Sequence, residues 1–275
     1  YINKSDNLWG HGKANISSIN AKPQSSDRVY PIPAVLLRYR HESLRNTYYL
    51  GATHEDYGRL AVGVKHDLDK GAVDAALFYS FMGKEWENPY MLNRTSTNVK
   101  SFGLRTGWER IGGGPISLHY TVSAKIVDND VSGNQNPDLK RDGTTHRLSA
   151  NYRIQLGETL TFMPFAAYER NFAEGKANRL NVASGGLNLI WKRGNLNWTS
   201  RATGHYGVTD STHPYYGDNR REPGYSLSSI LVLKNPLDFK NYFLTCGFIH
   251  EQTFSNIPFF EKRSDVTFLL MGYSF

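Results

Sequence analysis

The sequence predicts an all-β fold, an antiparallel up-and-down β-barrel that crosses a membrane. Three observations carry that expectation. Apolar and polar residues alternate with a period of two in runs of about ten residues, and the i, i+3, i+4 spacing of amphipathic helices is nearly absent. The connections between runs alternate between tight turns and longer polar loops. Aromatic residues make up 13% of the 275-residue chain, with 17 Tyr and 25 Gly, although the average residue is polar. A membrane barrel reconciles these features, because only every second residue of its strands faces lipid. No stretch approaches the roughly 18 consecutive apolar residues of a membrane helix. The N-terminal residues carry no signal-peptide apolar core, so the chain is expected to begin at or after a cleavage site.

The tight connections fall at Glu42–Asn46, Asp67–Gly71, Ile111–Gly114, Leu156–Glu158, Arg193–Asn195 and Pro236–Lys240. The longer ones fall at Gly83–Thr97, Asn129–Gly143 and Asp210–Gly224, with shorter members near Pro23–Arg28, His54–Gly58, Phe172–Lys176 and Ser255–Glu261. Thirteen strand runs can be read between and around them, beginning with Pro33–His41. For both chain ends to lie on the same side, one more strand is required within Leu8–Ala21. The expectation is therefore 14 strands, with 12 as the next choice, at roughly 20 residues per strand and connection. No composition break divides the chain, so residues 1–275 are expected to form one domain, with 1–7 available as a plug or an end segment.

Several runs separate two chemistries. Ile116, Leu118, Tyr120, Val122, Ala124 and Ile126 alternate with Ser117, His119, Thr121, Ser123 and Lys125. Leu148, Ala150, Tyr152 and Ile154 alternate with Arg147, Ser149, Asn151 and Arg153, and Trp198, Ala202 and Tyr206 oppose Thr199, Arg201, Thr203 and His205. A polar face this rich in Arg, Ser, Thr and Gly suits a wet interior. Trp9, Trp108, Trp191 and Trp198 are expected to sit in girdles at the membrane interfaces.

The polar faces point Arg38, Arg40, Lys65, Arg105, Lys125, Arg147, Arg153, Arg201 and Lys234 inward, against the acids Asp67, Asp74, Glu109, Glu169 and Glu251. An excess of basic groups attracts anionic solutes through the summed field, and free guanidinium groups offer forked donors to carboxylate or phosphate. Pairing of these bases with the acids across the wall is the alternative use of the same residues.

Other chemistries are weaker. His119 and His205 are predicted inward with Ser123 and Thr203 near in sequence, and Asp210, His213 and Asp218 fall in a loop, but no catalytic motif emerges, so no enzyme is expected. Asp128–Asp138 has oxygen-bearing residues at alternating positions and a central Gly, loosely as in a calcium loop, yet lacks the closing Glu. No cofactor and no metal are therefore expected. Cys246, the one cysteine, cannot form an internal disulfide and is expected buried or facing lipid. The net charge of +7 is spread singly over strands, without the basic run or zinc motif of a nucleic-acid binder.

The last run is the most specific signal. Thr267, Leu269, Met271, Tyr273 and Phe275 share one face and end in a terminal aromatic. This closely resembles the last strand of bacterial outer-membrane β-barrels, where that pattern is read by the barrel-assembly machinery. The resemblance implies an integral outer-membrane protein with both termini in the periplasm, short periplasmic turns and longer extracellular loops. The basic lumen is similar to that of narrow monomeric porins for acidic oligosaccharides. Lys22–Pro23–Gln24–Ser25–Ser26 followed by Pro31–Ile32–Pro33 resembles an uncharacterised family of Gram-negative outer-membrane proteins of about this length. The function expected is a monomeric channel for small hydrophilic, preferably anionic solutes. A closed barrel acting as an adhesin or receptor through its loops is the alternative, and an outer-membrane hydrolase a third. The partners expected are outer-membrane lipid and lipopolysaccharide, the latter with Arg170 at an outer strand end.

Overall fold

The period-two runs do form strands. In the computed structural model, which describes residues 1–29, 36–51 and 59–273, these are β1 (Ile2–Ser5), β2 (Ser25–Arg28), β3 (Leu36–His41), β4 (Asn46–Gly51), β5 (Leu60–Leu68), β6 (Gly71–Trp86), β7 (Ser96–Glu109), β8 (Ile116–Val127), β9 (Gly143–Tyr152), β10 (Ile154–Leu156), β11 (Leu160–Ala173), β12 (Leu180–Arg193), β13 (Leu196–Thr212), β14 (Asn219–Lys234), β15 (Tyr242–Thr253) and β16 (Lys262–Tyr273). All belong to one antiparallel sheet, ordered β2-β1-β16-β15-β14-β13-β12-β11-β9-β8-β7-β6-β5-β4-β3. Strand β10 also pairs with β11, in the register β9 holds, so the two are one run interrupted at Arg153. There the Arg153 N–H turns to the Pro115 carbonyl, at 2.8 Å.

The described residues thus contain sixteen strand segments rather than the 14 or 12 expected. The strand expected within Leu8–Ala21 is not formed. Ile2–Ser5 instead pairs with β16, and Leu8, Ile16 and Ile19 turn into an apolar cluster at the loop end. Phe275, the terminal aromatic, lies outside the described residues, as do Pro31–Ile32–Pro33.

The order of the sheet dictates its shape. Its two edges, β2 and β3, are consecutive in the chain: Arg28 and Leu36 are eight residues apart and so at most about 28 Å from each other. Fifteen strands laid flat at about 4.8 Å spacing would separate the edges by about 67 Å. The sheet must roll round on itself, with an inner and an outer face.

Those faces differ sharply. On one side stand Leu77, Leu148, Leu227, Leu269 and Met271, with 60%, 54%, 48%, 70% and 75% of their surface exposed. On the other side Ala61, Ala76, Phe78 and Phe165 are buried beside Arg105, Asp74 and Glu169. A protein folded in water would do the reverse, since large contiguous exposed apolar surfaces are otherwise reserved for partners or lipid. The apolar side is the outer face. Trp108, Trp191 and Trp198 lie on it near the turn end, Trp191 directly opposite Trp198. Trp9, expected in the same girdle, instead bridges to Glu85 at the loop end.

Glycines on the inner face let aromatic rings lie flat on the wall. A Cβ on Gly247 would come within 2.3 Å of the Phe268 ring, and one on Gly103 within 2.6 Å of Phe78. Each ring covers a neighbouring strand's glycine, as close approach requires.

Candidate functional site

The inner face carries the residues that the sequence points inward, and most of its cations face acids. Arg40 lies 3.3 Å from both Asp67 and Glu42, and Lys65 lies 2.5 Å from Glu109. Arg105 donates to the Tyr49 hydroxyl at 3.2 Å and sits 3.9 Å from Asp74. Lys125 lies 2.5 Å from Glu85, and Arg147 3.2 Å from Glu169. In this ladder of charges Arg147 stands directly opposite Glu169 on the neighbouring strand, whereas Arg40–Asp67, Lys65–Glu109 and Lys125–Glu85 each reach across one intervening strand, and Arg105–Asp74 is a diagonal pair on β7 and β6. Arg38, opposite Tyr49, has no acid partner among the described residues. Lys234 and Arg153 stand at the turn end, outside the ladder.

Arg201 is different. Its guanidinium lies 4.1 Å from the centre of the Phe165 ring, and Nε donates to the Thr203 hydroxyl at 3.3 Å. No carboxylate meets it among the described residues.

The loop end of the rolled sheet is closed by a packed cluster. Tyr90 comes from the β6–β7 loop, Leu139 from β8–β9, Ala177 from β11–β12, and Ile257, Phe259 and Phe260 from β15–β16. Ile16 joins them, with Leu8, Ile19 and Tyr216 packed against the group. Phe259, Phe260 and Leu139 are fully buried. The loops that the alternation predicts as solvated polar tips therefore form a cap with its own apolar core.

Three buried polar groups hold that cap. Arg141 donates to Asp130 Oδ1 at 2.8 and 3.1 Å, to Glu85 at 3.1 Å, and to the carbonyls of Trp86 and Glu87 at 2.8 and 3.1 Å. Asp130 also accepts from Ser132, Gly133 N–H and Arg141 N–H. Burial pushes the Asp130 carboxyl up, but the Arg141 hydrogen bond and charge, with the two N–H donors, bring it below the usual carboxylate range. Of the oxygens that suggest a calcium loop, those of Asp130 are thus committed to an arginine and to turning the chain into the short helix α1 (Val131–Gln135).

Arg94 ties residues 6–24 across the mouth. It donates to the carbonyls of Asn7 at 2.9 Å, Ala14 at 3.3 Å and Lys13 at 2.5 Å, and stacks over Trp86 at 4.5 Å. Burial lowers its pKa to about 10, against a small opposing pull from Asp6. The Asn7 side chain in turn donates to the Phe259 carbonyl at 3.1 Å.

His213 fills the centre. Its Nδ1 accepts from the Tyr215 N–H at 3.3 Å, which leaves the proton of the neutral ring on Nε2, 2.9 Å from the Tyr90 oxygen. Burial, and then the Arg220 charge, lower its pKa to about 4. Arg220 itself lies 4.4 Å from the centre of the Phe260 ring. Sequence reasoning missed Arg94 and Arg141 because loop residues follow no period, and Arg220 because the start of β14 falls in a stretch read as a loop; the apolar Ile257–Phe260 stretch inside a predicted loop was the one available signal.

Elsewhere, His205 Nε2 faces the Thr253 hydroxyl at 3.2 Å, and His119 stands opposite Gly107 and Ser149. Arg170 on the outer face is already paired with Asp210 and lies 5.0 Å from the centre of the Phe172 ring. Cys246 is exposed on the outer face, opposite Leu231 and Leu269.

No curated protein matches this sequence. Among solved structures, a chain described as a bacterial polysaccharide outer membrane secretin aligns over 98% of this chain and 96% of its own, at 11% identity and a TM-score of 0.36. The family model described as protein of unknown function (DUF2860) matches residues 1–274, and the chain belongs to that family.

Proposed function

We propose that this chain is an outer-membrane β-barrel that passes small hydrophilic solutes, anions in preference, through a basic interior whose loop-side mouth is capped at rest. The observation that carries this reading is the inversion of the two faces: exposed leucines outside, paired and unpaired charges inside. Anion preference is supported by an imbalance. Asp67, Asp74, Glu109 and Glu169 each face a cation and Glu251 stands opposite Ser226 and Ser264, whereas the three cations Arg38, Arg201 and Lys234 face no acid among the described residues. A monomer in contact with outer-membrane lipid and lipopolysaccharide suits the apolar belt and the polar rim above it. Arg170 reaches lipopolysaccharide phosphate on this reading only by sharing its guanidinium with Asp210.

The cap favours a second reading, a closed barrel that presents its loops to a surface partner. Planar-bilayer recordings separate the two. A channel shows conductance steps with an anion-favouring reversal potential, and replacing Arg38, Arg105 and Arg153 together reduces that preference. A protein silent both intact and after Arg94→Ala, which frees the cap, is no channel.

A further inference from the structure

We propose that Arg201, lying on Phe165, is a recognition site for an organic carboxylate whose apolar body rests on the adjoining inner wall of β14, β15 and β16. The inference rests on the reading above only in taking the inner face as wetted.

The guanidinium is held by its flat side. Phe165 can lie under it because its neighbour across the ladder is Gly186, where a Cβ would come within 2.9 Å of the ring. Only Nε is engaged, by the Thr203 hydroxyl. The two terminal nitrogens have no partner among the described residues, and they form the edge that takes a carboxylate by two parallel hydrogen bonds. Asn188 and Ser228 flank Arg201 in register on β12 and β14 and supply further polar atoms.

The neighbouring wall is unlike the charged ladder opposite. Ser228 faces Ile249, Ile249 faces Val266, and Ile230 and Phe268 both meet Gly247. Together with Leu270, the half-buried Ile230, Ile249, Val266 and Phe268 make an apolar shelf on the inner face that begins one strand from the free guanidinium and runs on to the third. An aqueous passage for fully polar solutes has no use for such a shelf, and leaving it wet costs about 25 cal/mol per Å². A single cation matches a monoanion, and the shelf matches a hydrocarbon flank; inorganic phosphate covers no shelf and calls for more positive charge. Arg38 is also without an acid, but stands on β3 beside Tyr49.

The test is equilibrium binding of 3-phenylpropionate to the folded protein in detergent, followed by calorimetry, with phosphate as competitor. The wild type should bind, phosphate should not compete at equal concentration, and Arg201→Gln should weaken binding at least tenfold while Arg153→Gln leaves it unchanged. Ile249→Asn, which keeps the guanidinium, should also weaken it. Binding unaltered in Arg201→Gln, or phosphate competing as well as the carboxylate, overturns the proposal. No current is needed for this readout. A bilayer-silent protein that binds leaves the inference standing, and a conducting protein that does not bind refutes it alone.

Discussion

His213 Nε2 lies 2.9 Å from the hydroxyl of Tyr90, 123 residues away in sequence, at the fully buried centre of the cap. The pair joins the β13–β14 loop to the β6–β7 loop, and neither partner has water to fall back on. Burial also raises the Tyr90 pKa, so its hydroxyl stays protonated throughout the accessible range.

That burial makes the cap acid-sensitive. The folded pKa of His213 is lowered from 6.5 to about 4, so protonation favours the opened cap. The contribution is full above pH 6.5, shrinks as pH falls towards 4, and reaches roughly 3 kcal/mol in all. Protection factors of cap amides, that is rates corrected for the intrinsic slowing of exchange in acid, should fall between pH 6.5 and 4 in the wild type and not in His213→Gln. Protection factors constant across that range in the wild type refute it.

Arg94 should be the strongest single tie of residues 6–24. Its hydrogen bonds to three carbonyls and its stack on Trp86 are lost in Arg94→Ala, at about 1.5–3 kcal/mol per charged hydrogen bond before relaxation. Limited proteolysis should cut residues 10–20 at least tenfold faster than in the wild type, with the wall strands protected. Arg94→Lys should fail to restore protection, because an ammonium cannot span carbonyls spread along the segment.

Gly247→Ala should lower the stability of the rolled sheet by about 1–3 kcal/mol, since the added methyl group displaces the Phe268 ring. The double variant with Phe268→Ala should cost less than the sum of the two single changes. Urea unfolding in detergent or lipid gives both numbers; strict additivity would separate the two residues.

Cys246 offers a test of orientation. On the outer face between Leu231 and Leu269, its thiol should react in liposomes with a lipophilic maleimide and resist a charged one. Equal labelling by both reagents would turn that face towards water.

Legibility in the sequence followed periodicity. Leu269, Met271 and Tyr273 stand on the outer face as the last run suggests, and the alternations around Leu118, Leu148 and Trp198 assign their faces correctly. Lys65 and Arg147 are inward, yet their pairing with Glu109 and Glu169 depends on which strands neighbour which, and no single run states that. Leu8, Ile16 and Ile19 misled because three apolar residues among Gly, Asn and Ser suit a weak strand or a loop that packs, and only the opposite loops decide. The cap could not be read for the same reason: its partners lie far apart in sequence and share no repeat.

The seam between β1 and β16 sets when this wall can be finished. The Tyr1 nitrogen meets the Thr267 carbonyl across 266 residues, so β1, already beside β2, waits for β16 to be synthesised before its other side is paired. Until then β1 and β16 each keep one side unpaired, a slow, high-contact-order route exposed to aggregation. Because the cap draws on both Ile16 and Phe260, it is a late element too, and a protected cap reports that assembly has run to completion.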